Sequence, residues 1–230
     1  MDKIEKVRSI SLWVFIIPFI TLNACLILIT KFHGLFPNQE HVILNTIPYI
    51  DGQVSISRTA RVFPTYLIFK PAMFLTSYLL IKYWLYTKEI ILFFNKNNKN
   101  IKYIMFFGVG SAILLTLHTV FLGIKFDNEL YKLFRRAVML FFIIFEIVAQ
   151  AYLVMTYYSF KNHLLKFINQ NFLKMKLMLV LILVLVALIS IPIVTMPGNK
   201  FLKHALEWDY FIGVISFYLL TFFMWKNKNQ

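Results

Sequence analysis

Residues 10–30, "ISLWVFIIPFITLNACLILIT", contain no Asp, Glu, Lys or Arg. A run of this kind fits only one solvent, because about 20 apolar residues at roughly 1.5 Å each cross a hydrocarbon core about 30 Å thick. The pattern recurs along the chain. Residues 103–124 and 177–196 are equally free of charge, and 137–160 is broken only by Glu146. Residues 63–86 carry Lys70 and Lys82 near their ends, and 205–225 becomes long enough when the flank holding Glu207 and Asp209 is included. Six spanning helices are therefore expected in a single all-α polytopic bundle over 1–230, with an outer loop over about 31–62. Composition agrees: 60% of the residues are hydrophobic against 15% charged, more apolar side chain than a soluble domain of 230 residues can bury.

Lys3, Lys6 and Arg8 precede the first run as in a secretory signal, but the run is too long and lacks a small-residue cleavage site, so it reads as an anchor. Cys25 is the single cysteine and sits inside that run, which excludes an intramolecular disulfide and a cysteine-based metal site. The net charge of +14 would suggest nucleic acid in a soluble chain. Here its distribution over loops is the better guide. Of the 24 basic residues, 14 flank the N-terminus, the connections near 87–102 and 161–176 and the C-terminal tail, against nine on the opposite side. The positive-inside rule then puts both termini in the cytoplasm. The partners expected are membrane lipids and a membrane protein, with no nucleic acid, and the localisation is a multi-pass integral one in a membrane the sequence does not name.

Polar variety concentrates at the other side, where six acidic residues and four of the five histidines fall. The first outer loop contains "IPYIDGQVSISRTARVFP", with Asp51, Arg58 and Arg61 leading into a helix that carries Lys70 immediately before Pro71. Long ordered loops on a rigid scaffold are common carriers of binding residues. Arg forks bind phosphate bidentately, so Arg58, Arg61, Arg135 and Arg136, together with Asp51 and Asp127, form the expected head-group contacts. Lys70, His118, Glu146 and Gln150 are the intramembrane polar residues. Each is a functional candidate by position, with snorkelling of Lys70 and interhelical bonding of Glu146 to Gln150, Ser111 or Thr76 as structural alternatives.

The last span begins "KHALEWDYF", which puts His204 and Glu207 on one helix face and makes them the acid–base candidates of a catalytic reading. His118 and Asp127 are their alternates as base and orienting acid. Two linked ligands are too few for a metal, and no metal or cofactor is expected. Nucleotide cradles, nucleophile elbows and zinc-protease pairs are absent from the sequence.

Residues 48–70, "PYIDGQVSISRTARVFPTYLIFK", and 206–226, "LEWDYFIGVISFYLLTFFMWK", resemble the first outer loop and last span of the Frag1/DRAM/Sfk1 family of six-span membrane proteins, which includes relatives that remodel GPI anchors. The matching positions are Pro48, Arg61, Pro64, Phe69, Glu207 and Trp208, and "FDNELYKLF" is similar to the stretch before span four. Asp51 stands where relatives tend to have Ser, and Tyr131 where several have His, so any role needing that imidazole does not carry over. The resemblance implies a lipid-related role and leaves catalysis open. Three readings follow: a lipid or glycolipid head-group binder, a membrane-embedded acyl- or head-group transferase or hydrolase, and an accessory or scaffold subunit. A transporter is a fourth, weaker one, since Glu146 and Lys70 alone do not make a pathway.

Overall fold

The structure, a computed structural model, describes residues 2–38, 41–124, 128–195 and 198–226, with the backbone alone at 191 and 193–195. Six long helices dominate it: α1 (Asp2–Lys31), α4 (Thr65–Phe94), α5 (Ile101–Phe121), α6 (Glu129–Ser159), α8 (Gln170–Thr195) and α9 (Lys200–Met224). Short helices α2 (Pro48–Asp51) and α3 (Ile56–Ala60) sit in the first loop, and α7 (Lys161–Leu164) follows α6. Among the described residues there are no named strands. Five of the long helices, all but α4, are long and apolar enough to cross a membrane. Helix α4 has the length, 30 residues, but Lys70, Lys82, Lys88 and Glu89 dilute its apolar character.

The long helices form a closed ring. Contacts join α1 to α4, α4 to α5, α5 to α6, α6 to α8, α8 to α9 and α9 back to α1. Small residues allow these backbones to approach, as is usual where helix association relies on close packing. A Cβ on Gly108 of α5 would come within 2.4 Å of the Trp84 ring of α4, and one on Gly213 of α9 within 2.6 Å of Leu183 on α8. Side chains are sorted inside out. Leu67, Phe74, Leu181 and Leu188 point outward, while Ser111, Glu146, Gln150 and Lys176 are fully buried. Exposed apolar area on this scale has no place in water and suits lipid.

Two ends can be told apart. At one, Lys3 pairs with Glu89 at 2.8 Å and the Arg8 Nε–H donates to the Phe222 carbonyl at 3.2 Å. The Asn169 N–H also bonds the Met224 carbonyl there, and the Lys226 N–H bonds that of Phe167. The N-terminus, the end of α4, the segment around α7 and the end of α9 therefore share this end. Loop 32–64 and the start of α9 occupy the other.

Helix ends depart from the sequence expectation. Helix α4 continues to Phe94, α6 starts at Glu129 and α8 at Gln170, so much of the expected connections is helical. Lys176, expected in a solvated connection, is instead entirely buried: its Nζ donates to the Thr221 Oγ1 at 2.8 Å and lies 3.8 Å over the Phe217 ring. The cause is helix length, since α8 begins almost two turns before residue 176 and carries the lysine into the ring.

Candidate functional site

The first loop is not a loose connector. Its turn is tied by Asp51, whose carboxylate accepts from the Thr46 hydroxyl at 2.7 Å and from the Ile47 and Gln53 N–H groups at 2.8 and 3.0 Å. Partial burial works to raise the Asp51 carboxyl, but these three donors outweigh it and hold the group below the ordinary aspartate value. Gly52 follows at φ 58°, where a Cβ would come 1.8 Å from the Phe201 carbonyl oxygen. Glycine is required by this contact as much as by the dihedral.

The first three turns of α9 then satisfy the rest of the loop. His204 Nδ1 lies 2.8 Å from the Gly52 carbonyl, so that nitrogen carries a proton. Trp208 Nε1 donates to the Val54 carbonyl at 2.9 Å and meets the Tyr49 ring edge-on at 5.0 Å. Glu207 accepts the Ile56 and Ser57 N–H groups, which opens α3 against α9. His204 and Glu207 thus hold the loop in place, bonding its backbone at Gly52, Ile56 and Ser57.

Anchored this way, the loop forms one wall of a cleft of about 650 Å³. Ser55, Ser57 and Arg61 line it from the loop side, His118 from α5, His204 and Glu207 from α9, and Tyr131, Lys132, Arg135 and Arg136 from the first two turns of α6. The cleft is strongly basic. Burial first, and the Arg135 and Arg58 guanidiniums after it, pull Arg61 below the ordinary arginine value, which leaves it charged and short of an anion. Among the described residues Lys132 pairs with Glu129 at 2.7 Å, while Arg61, Arg135 and Arg136 enter no ion pair. Arg135 Nε has no hydrogen-bond partner, its guanidinium lying 5.9 Å from the Tyr131 ring centre, and His118 Nδ1 has none either.

Beneath the cleft lies a narrow cavity of about 70 Å³ inside the ring, almost wholly apolar in its lining. His118, Met139, Ile143 and Glu207 line both spaces, so the two adjoin. Its floor is polar. Glu146 accepts from the Ser111 hydroxyl at 2.5 Å, from Gln150 Nε2 at 3.1 Å and from the Tyr218 hydroxyl, and Gln150 also donates to the Val214 carbonyl at 3.2 Å. A second polar group lies one turn further along α9, where Thr221 meets both Lys176 and, at 3.5 Å, the Tyr83 hydroxyl.

Of the site residues expected from sequence, Arg61, His118, Arg135, Arg136, His204 and Glu207 come together at the cleft, and Glu146 with Gln150 forms the floor below it. Asp51 is turned into its own loop. Arg58 does not line the cleft, though its N–H caps α3 through the Ser55 Oγ at 3.2 Å, and Asp127 lies outside the described residues. Lys70 reaches the Val120 carbonyl at 3.5 Å at the end of α5, away from both spaces. Sequence reasoning missed Lys132, Tyr218 and Lys176. Tyr218 had a usable signal, because Glu207, Phe211, Val214 and Tyr218 recur at helical spacing and form the inward stripe of α9. Lys176 had none, its burial being set by where α8 begins. Among the described residues no group of three His, Cys, Asp or Glu is placed to hold a metal.

Fold and site together describe an all-helical protein with five helices long and apolar enough to cross a membrane, consistent with a multi-pass membrane protein, and with a basic cleft at one end of a ring of helices and an apolar cavity behind it. No family model, curated protein or solved structure matches this chain.

Proposed function

We propose that this protein crosses the membrane six times, with both termini in the cytoplasm, and binds the anionic head group of a membrane lipid or glycolipid in its extracytoplasmic cleft. The sixth span is α4, whose partners in the ring are themselves apolar spans on both sides. The observation that carries the reading is the cleft's charge. Three arginines and a lysine surround one open space, and the three arginines have no ion pair among the described residues. Partly shielded from water, such forks favour a phosphate strongly. The resemblance of residues 48–70 and 206–226 to the Frag1/DRAM/Sfk1 family supports the same lipid-related role, and family membership is part of the proposal.

A second reading, a lipid transferase or hydrolase, is favoured by one feature: His118 presents a half-buried ring with a free Nδ1 where cleft and cavity join. In that reading His118 is the base, since His204 and Glu207 are engaged with the loop backbone.

The test is protein in nanodiscs made from its host's lipid extract, with lipids identified by mass spectrometry at the start and after incubation. Enrichment of an anionic lipid is expected, lost on charge reversal at Arg61 and Arg135 with thermal unfolding unchanged. Retention that survives both reversals sinks the binding reading. Conversion of a lipid in molar excess over protein would replace it with the catalytic one.

A further inference from the structure

We propose that the interior cavity is a slot for one alkyl chain of the amphiphile whose head group occupies the cleft, and that the Glu146 cluster is the stop that sets its length. This rests on the head-group reading above. The two spaces share four lining residues, so a molecule seated on the arginines has its next atoms at the mouth of the cavity. The walls suit nothing polar. Leu22, Phe69, Met73, Leu115, Phe142 and Phe211 come from α1, α4, α5, α6 and α9, so the slot runs along the axis of the ring rather than between two neighbours.

Its depth follows from helix geometry. Glu207 at the mouth and Tyr218 at the floor are both on α9, eleven residues or about 16 Å apart, the extended length of roughly a dozen carbons. Beyond that point a chain meets the carboxyl of Glu146 with the Gln150 amide and the Ser111 and Tyr218 hydroxyls bonded to it. Passing them means breaking those bonds with nothing offered in return. At about 70 Å³ the cavity holds only a fraction of such a chain, so its walls must part on filling, beginning with Met73 and Met139, whose unbranched side chains shift readily. Lipid tails outside are as apolar as the slot, so the gain on filling comes from dispersion contacts that the void now lacks and from the anchored head group.

The experiment uses the full chain in nanodiscs and dodecyl phosphate bearing a diazirine at its terminal carbon, with cross-linked residues mapped by mass spectrometry. Labels are expected on Met73, Phe142 or Tyr218, at least ten-fold reduced by unlabelled dodecyl phosphate and by charge reversal at Arg61 and Arg135. In a series of alkyl phosphates, retention should stop rising near twelve carbons, and Leu115→Trp, at a position that lines the cavity and not the cleft, should lower it for dodecyl but not for butyl phosphate. Labels confined to outward-facing Leu67, Phe74 or Leu181, with retention still arginine-dependent, overturn the slot and leave the head-group reading standing. No arginine-dependent retention at any length overturns both.

Discussion

Replacing Glu146 by Leu and, separately, by Gln measures how the floor of the cavity is held. Glu146 accepts three side-chain hydrogen bonds, from Ser111, Gln150 and Tyr218. Side-chain bonds inside membrane proteins average about 0.6 kcal/mol, so losing the two interhelical ones and the one to Gln150 within α6 removes about 2 kcal/mol. The donors do not suffer equally. Ser111 can turn its hydrogen to the Gly108 carbonyl at 2.8 Å and Gln150 keeps that of Val214, whereas the Tyr218 hydroxyl loses its acceptor while its ring keeps T-shaped contacts with Tyr83 and Phe217. One orphaned hydroxyl adds about 1 kcal/mol, for a total near 3 kcal/mol in Glu146→Leu. Glu146→Gln differs in kind. Its amide oxygen can accept from Tyr218 and Gln150, while its NH₂ donates to the Ser111 oxygen, whose hydrogen then turns to the Gly108 carbonyl. A loss below about 1 kcal/mol is expected. Reversible unfolding in mixed micelles, titrated with denaturing detergent, reads both values. Equal destabilisation by Gln and Leu would refute the reasoning, because it would mean that a negative charge, rather than acceptor geometry, holds the cluster.

Other outcomes follow from the same contacts. Gly52→Ala forces a Cβ against the Phe201 carbonyl oxygen at a left-handed φ, so the loop should lift from α9, with Trp208 fluorescence shifting to the red and cleavage within 41–62 quickening under limited proteolysis. A Gly52→Ala protein with unaltered fluorescence and proteolysis would contradict that docking. Lys176→Met keeps the side-chain length and removes a buried amine bonded to the Thr221 hydroxyl, so thermal stability should be unchanged or higher by about 1 to 3 kcal/mol; a marked loss would give the Thr221 bond a larger role than its geometry implies. Asp51 is held below its ordinary value, so its tie on the loop is complete above the unfolded aspartate value near 3.9 and is lost as pH falls through the lower folded one. Trp208 fluorescence should report acid release of the loop below about pH 4 in the parent protein, and Asp51→Asn should remove that step; persistence of the step in the variant would assign it elsewhere.

The membrane class was legible because it depends on a one-dimensional property. Runs such as 10–30 and 177–196 leave the chain no aqueous alternative, whatever they pack against. Glu146 was legible for the same reason: an acid in such a run must face protein, and it does, bonded to Gln150 and Ser111. Its third partner, Tyr218, is 72 residues away and depends on which helices adjoin. The catalytic pairing of His204 with Glu207 came from a shared helix face, yet a face does not say what lies opposite. The loop lies there, and its backbone takes the bonds of both side chains.

By itself, then, the sequence determined which segments are helical and apolar, and that a polar first loop and a polar start of the last helix stand among them, because periodicity and hydropathy are local. Tertiary structure decided that this loop is a wall, that arginines from the loop and from α6 face one cleft, and that a cavity descends from it to Glu146. Those facts depend on the closure of the helix ring, which brings together residues far apart in the chain, and on the length of helices such as α8, which carried Lys176 from an expected surface into the core.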